Sequence, residues 1–137
     1  MKIAVLDGFA ANPGDLSWDF LGKYGEYEVF DRTPVSLISE RAKDAGIIVV
    51  NKTPVSRETL KELPELKFIA VLATGYNIVD TVACDERGIL VANIPSYSVS
   101  AVAQQTFAFI LEYANRIGEH TLSVHSGGWT ASPDFSY

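Results

Sequence analysis

A doubly wound α/β fold, with a parallel five-stranded sheet covered by helices on both faces, is the architecture this sequence predicts. Short, continuously apolar runs recur from Lys2 to Ala92, as in strands buried on both sides. Helix-start and helix-stop residues separate one run from the next. A long helix, apolar on nearly every side, follows the last run.

The first strand is Lys2 to Asp7, ending in Asp7-Gly8. Asp15 to Lys23 reads as a helix, with Leu16, Phe20 and Leu21 on one face and Gly25 beyond its end. Glu28-Val29-Phe30 forms a shorter second strand. Thr33-Pro34 joins a cap residue to a proline at the first helical position, opening a helix through Arg41-Ala42-Lys43 that Gly46 stops. Ile47-Ile48-Val49-Val50 is the third strand. Thr53-Pro54-Val55-Ser56 repeats the wording of Thr33 to Ser36 and again precedes a helix, Arg57 to Leu63. Shared start-signal chemistry accounts for that likeness without an internal repeat. Phe68-Ile69-Ala70-Val71 is the fourth strand, a helix from about Ile78 to Arg87 ends at Gly88, and Ile89-Leu90-Val91-Ala92 is the fifth.

The simplest strand order for this pattern is the flavodoxin-like 2-1-3-4-5, which binds ligands at the carboxyl ends of its strands. Asp7-Gly8, Asn51-Lys52 and Ala73 to Asn77 all fall at that edge. Residues 1–95 are therefore expected to form one flavodoxin-like domain, and residues 96–137 a long helix with a linker arm. Ser98 or Ser100 can cap the helix, which is expected to run to about Gly118. Val99, Val102, Phe107, Phe109, Ile110, Leu111, Tyr113, Ala114 and Ile117 clothe it all round, so one small sheet does not suffice to cover it. Another domain, another subunit, or both are expected against it. Ser123 to Tyr137, with Gly127-Gly128 and Pro133, reads as a linker or docking arm.

A chain of 137 residues is long enough to bury its own core. Its net charge of -6 is spread along the chain without a basic stripe, which argues against nucleic acid and anionic membrane surfaces as partners. Cys84 is the single cysteine, so no intrachain disulfide forms, and a buried structural thiol is expected there. The apolar run at the N-terminus is too short for a signal peptide, and the helix near 99–117 carries Gln104, Gln105, Glu112 and Arg116. The cytoplasm is the expected location.

The segment Ala73-Thr74-Gly75-Tyr76-Asn77-Ile78-Val79-Asp80 reads as a strand end, a small-residue turn of exposed backbone N–H groups and a helix start. Unpaired amides and a helix dipole aimed at one spot suit a small anion. A tight strand-to-helix connection would use the same residues. The pieces that follow weigh toward the anion site.

With those pieces the chain resembles the D-specific 2-hydroxyacid dehydrogenases, the family containing glycerate, phosphoglycerate and formate dehydrogenases. The resemblance rests on Val71 to Asp80, on Gly88-Ile89-Leu90-Val91-Ala92-Asn93-Ile94-Pro95, on the helix Ser98-Val99-Ser100-Ala101-Val102-Ala103-Gln104, and on Gly128-Trp129. It implies a two-domain, usually dimeric enzyme with the long helix (98–118) at the dimer interface. It implies that amides of Ala73, Thr74 and Gly75 hold the carboxylate of a small 2-hydroxy or 2-oxo acid. Thr74 and Val102 would lie against the nicotinamide side of bound NAD, or of NADP. Gln104 replaces a commoner acidic residue and Asn77 a frequent Asp; neither change removes an amide donor.

No Gly-x-Gly-x-x-Gly turn occurs between Met1 and Tyr137. The resemblance therefore implies that cofactor binding, and the family's catalytic Arg, Glu and His, lie in a domain outside these residues. No catalytic residue is expected within the chain, which by itself should be inactive. Glycerate or hydroxypyruvate is the preferred substrate, on the likeness of Ala73-Thr74-Gly75-Tyr76-Asn77 to that subgroup.

Other readings compete residue by residue. His120 at an expected helix C-terminus and His125 in a Gly-rich arm read as structural or solvated. Asp7, Asp31, Asp80 and Asp85 have no ligand spacing for a metal. A phospho-receiver domain would need acids where the third strand ends in Asn51-Lys52. Trp18 and Trp129 read as packing residues. The alternative to the enzyme is a non-catalytic binding or dimerisation module of the same fold.

Overall fold

The computed structural model describes residues 1–134, which divide into two compact units, Met1–Pro95 and a second beginning at Ser96. In the first unit, five parallel strands take the order β2-β1-β3-β4-β5, the flavodoxin-like arrangement. They are β1 (Lys2–Val5), β2 (Glu26–Val29), β3 (Ala45–Val50), β4 (Phe68–Val71) and β5 (Leu90–Ala92). The helices of this unit are short: α1 (Gly8–Ala11), α2 (Ile38–Ala42), α3 (Arg57–Lys61) and α4 (Thr81–Glu86).

Alternation along the buried strands sends side chains to two faces. Ala4, Leu6, Ile48, Val50, Ile69 and Val71 join Ile38, Leu60, Leu63 and Ala83 on one face. Ile3, Val5 and Val49 pack on the other with Leu21 and, partly buried, Trp18. Each fully buried aliphatic side chain contributes about 1.5–3 kcal/mol of transfer free energy.

Two helices carry side-chain caps at their first turns. The Ser56 hydroxyl accepts from the Thr59 amide to cap α3, and the Asp80 carboxylate accepts from Ala83 to cap α4. Gly88 follows α4 with φ +67, a backbone that favours glycine.

Besides the start of α4 at Thr81 rather than about Ile78, three elements differ from expectation. Asp15 to Lys23 is not one helix: only Asp19–Lys23 coils, as a 3-10 turn, and Leu16 and Phe20 are exposed. The Asn12 side chain takes over the local backbone, accepting from the amides of Gly14 and Leu16 and donating to the Leu16 carbonyl. Gly46 does not stop a helix but lies inside β3, where a Cβ would stand 2.6 Å from the Met1 side chain. The helix before it ends at Ala42, and Thr33-Pro34 opens a 3-10 turn (Val35–Leu37) ahead of it.

The third difference is in the second unit. The expected helix to Gly118 is broken at Arg116, whose φ of 50 is left-handed. It becomes α5 (Val99–Asn115) and α6 (Ile117–His125). Glu112 stabilises the break, because its carbonyl accepts from the Arg116 amide and its carboxylate from the Gly118 amide at the start of α6. His120 thus sits within α6, not at a helix end. The expected arm from Ser123 is helical in part, through His125 and again in α7 (Gly128–Ala131); its last three positions lie outside the described residues. Among the described residues no helix is long and apolar enough to cross a membrane.

Candidate functional site

Parallel strands bring β1, β3 and β4 to a common carboxyl edge, and the register pairs Val50 with Val71 at the ends of β3 and β4. Leaving β4, the chain turns through Leu72-Ala73-Thr74-Gly75. Ala73 is buried and Thr74 and Gly75 are exposed. Among the described residues the backbone N–H groups of Ala73, Thr74 and Gly75 make no hydrogen bond, whereas the Leu72 amide donates to Val50. Three adjacent free donors therefore begin where sheet pairing ends.

The turn is held from behind. The Ile94 amide donates to the Ala73 carbonyl at 3.1 Å. The Thr74 hydroxyl donates to the Ile94 carbonyl at 3.0 Å, and the Asn93 side-chain amide donates to the Thr74 carbonyl at 2.8 Å. These bonds engage the carbonyls of Ala73 and Thr74 and leave the amide donors of the turn free. Gly75 is not in the left-handed region; what it offers is access, since an added Cβ would stand 3.4 Å from the Asn77 side-chain oxygen. Beside the turn lies a shallow depression of about 210 Å³ lined by Tyr76, Thr81, Val91 and Asn93.

The helix dipole expected at this turn is not there. Helix α4 begins only at Thr81, is six residues long, and has its first turn capped by the Asp80 carboxylate. An anion at the turn would be held by amides alone.

Asp7, read from the sequence as a scattered acid, organises the neighbouring loop. It is 6 % exposed, and its carboxylate accepts from the amides of Asn51 (2.8 Å), Lys52 (2.5 Å) and Thr53 (2.8 Å). One buried side chain on β1's exit thus fixes the exit of β3. The only sequence signal was the placement of Asp7 at the ligand-binding edge. Asn93 was likewise visible only as part of a motif.

The structure brings Ala73, Thr74 and Gly75 together. Val102 belongs to the second unit, exposed on α5. Among the described residues no group of three or more His, Cys, Asp or Glu side chains stands where a metal could be held. Cys84 is buried, and desolvation pushes its thiol pKa up, away from nucleophilic use.

A flavodoxin-like sheet with an amide-lined turn at its carboxyl edge defines an α/β domain suited to a small carboxylate. The chain belongs to the D-isomer specific 2-hydroxyacid dehydrogenases, whose catalytic-domain model matches residues 3–127. It is 46 % identical to a hydroxypyruvate reductase of Blautia hydrogenotrophica, over all of this chain and 44 % of that protein. Identity to a glycerate dehydrogenase of Methylorubrum extorquens is 35 %, over 99 % of the chain and 43 % of the relative. The chain thus spans less than half the length of these relatives. Among solved structures, an acyclic imino acid reductase (Bsp5) in complex with NADPH and D-Arg superposes with a TM-score of 0.76 at 28 % identity, covering 93 % of this chain and 41 % of that one.

Proposed function

We propose that this chain is the substrate-binding portion of an NAD(P)-dependent oxidoreductase acting on a small D-2-hydroxy acid, with glycerate and hydroxypyruvate preferred. The observation that carries the reading is the set of three unpaired amides at Ala73, Thr74 and Gly75, at the edge where such sheets bind ligands. Three donors converging on a carboxylate match its acceptors, and charge-assisted bonds of this kind are about twice as strong as neutral ones. Identity to a hydroxypyruvate reductase and a glycerate dehydrogenase supports the substrate preference.

In this reading residues 1–95 hold the acid, and residues 96–137 lead toward a dinucleotide-binding domain. The nicotinamide, when bound, supplies or accepts the hydride. Of the residues present, Thr74 and Val102 would offer only a wall for its ring, because the chain contains no glycine-rich pyrophosphate turn. The family's Arg, Glu and His would carry the proton chemistry from outside these residues, and the 137 residues alone would not turn over. Pairing of two copies through α5 and a cytoplasmic location belong to the same proposal.

The test is NADH oxidation with hydroxypyruvate by the product of this chain's own gene, wild type and Gly75→Val. Activity that falls by about 10²-fold in the variant, as a misplaced substrate predicts, supports the reading. Absence of oxidation by the wild-type product with any small 2-oxo acid overturns it and favours a binding module.

A further inference from the structure

We infer that Lys52 selects the substrate at this turn, its ammonium group recognising an oxygen on the third carbon of a 2-oxo acid whose carboxylate the turn holds. This rests on the function proposed above and adds a residue and a substrate class to it.

The loop after β3 and the turn after β4 are joined to each other at both of their ends. They leave the sheet together, where Val50 pairs with Val71 and the Leu72 amide donates to the Val50 carbonyl at 2.7 Å. They meet again where the Val55 amide donates to Ile78 at 2.8 Å and the Asp80 amide to Val55 at 3.0 Å. Residues 51–54 and residues 73–77 are thus two connections pinned to each other at both ends.

The two loops offer opposite resources. The turn presents backbone donors, with the carbonyls of Ala73 and Thr74 engaged. In the neighbouring loop Asp7 consumes the amides of Asn51, Lys52 and Thr53, so that loop can offer a ligand hydrogen-bond donors only from its side chains. Lys52 is its exposed cation, with no ion-pair partner among the described residues. Its main chain is fixed by Asp7, and its four-carbon side chain is exposed on this loop, the turn's neighbour.

An ammonium group has three donors and no acceptor, and is strongly hydrated. Against a methyl group it gains nothing and stays with water. Against a hydroxyl or carboxylate it exchanges water for a charge-assisted bond. A 2-oxo acid bearing oxygen at its third carbon, of the hydroxypyruvate kind, is therefore favoured over pyruvate.

The experiment titrates the ¹⁵N-labelled chain with hydroxypyruvate and with pyruvate, following the amides of Ala73, Thr74 and Gly75. Wild type, Lys52→Met and Lys52→Arg are compared; the side chain is exposed, so all three should fold. The expected result is a wild-type preference for hydroxypyruvate that shrinks about tenfold in Lys52→Met and largely survives in Lys52→Arg. Turn amides that shift while the preference is unchanged, or affinity lost equally for both acids, overturn the role of Lys52 and leave the carboxylate site standing. Turn amides that respond to neither acid overturn both.

Discussion

Asn93 grips Thr74 through the main chain: its side-chain amide donates to the Thr74 carbonyl oxygen at 2.8 Å, while Thr74 returns a hydroxyl bond to Ile94. The segment leaving β5 thereby sets the plane of the peptide whose nitrogen belongs to Gly75. Substituting Asn93→Ala frees that peptide to rotate. Because the pair is exposed, water can replace the lost bond, and the stability cost should stay near ~0.5–1 kcal/mol. Carboxylate binding should weaken severalfold, a split that thermal unfolding and a glycerate titration on one sample would reveal.

Asp7 lies at the other extreme. Its carboxylate is buried and serves three amides at once. Asp7→Asn keeps the shape but turns an NH₂ group toward backbone donors, and should cost about 3 kcal/mol. Urea denaturation would show a lower midpoint with an unchanged slope. A midpoint within error of wild type would mean that the three bonds add nothing net.

On the surface, Arg57 bonds both carboxylate oxygens of Glu86, at 2.5 and 3.2 Å. The side-chain bond from Arg57 holds the Glu86 carboxyl below its ordinary value. A depressed folded pKa contributes stability above the ordinary glutamate range, lost as pH falls through the depressed value. Glu86→Gln should therefore flatten the acid side of the stability–pH profile. Added salt should narrow the difference between the two proteins, since both groups are exposed.

Helix α5 buries none of its residues within the described chain, although Phe107, Phe109, Ile110 and Leu111 are each more than half exposed. So much apolar surface on one helix is what the proposed pairing through α5 would cover. The wild-type chain should self-associate in sedimentation runs over a concentration series, and Phe109→Glu should shift it toward monomer. The unfolding midpoint of the β-sheet unit should stay in place. A wild-type chain that remains monomeric at high concentration would sink the pairing through α5.

Much of the sheet was legible because its signals are local. Continuous apolar runs at Ile47–Val50 and Phe68–Val71 suit buried strands, and Ser56 and Asp80 bond amides three residues away. Reading failed where a residue's partner is distant or competing. Gly46 resembles a helix stop until Met1 is seen against it. Apolar spacing at Leu16 and Phe20 suggests a helix until the Asn12 side chain takes the backbone bonds that a helix would need.

By itself the sequence determined the class of fold, the five strands and the turn at Ala73–Gly75, since each follows from periodicity and residue type over a few positions. Tertiary structure alone decided that the carbonyls of Ala73 and Thr74 are engaged and the turn's amides free, that Asp7 orders the loop carrying Lys52, and that the long helix breaks at Arg116. Hydrogen bonds join residues by distance in space, and a carboxylate just past one strand meets amides 44 to 46 positions away only after the sheet has formed.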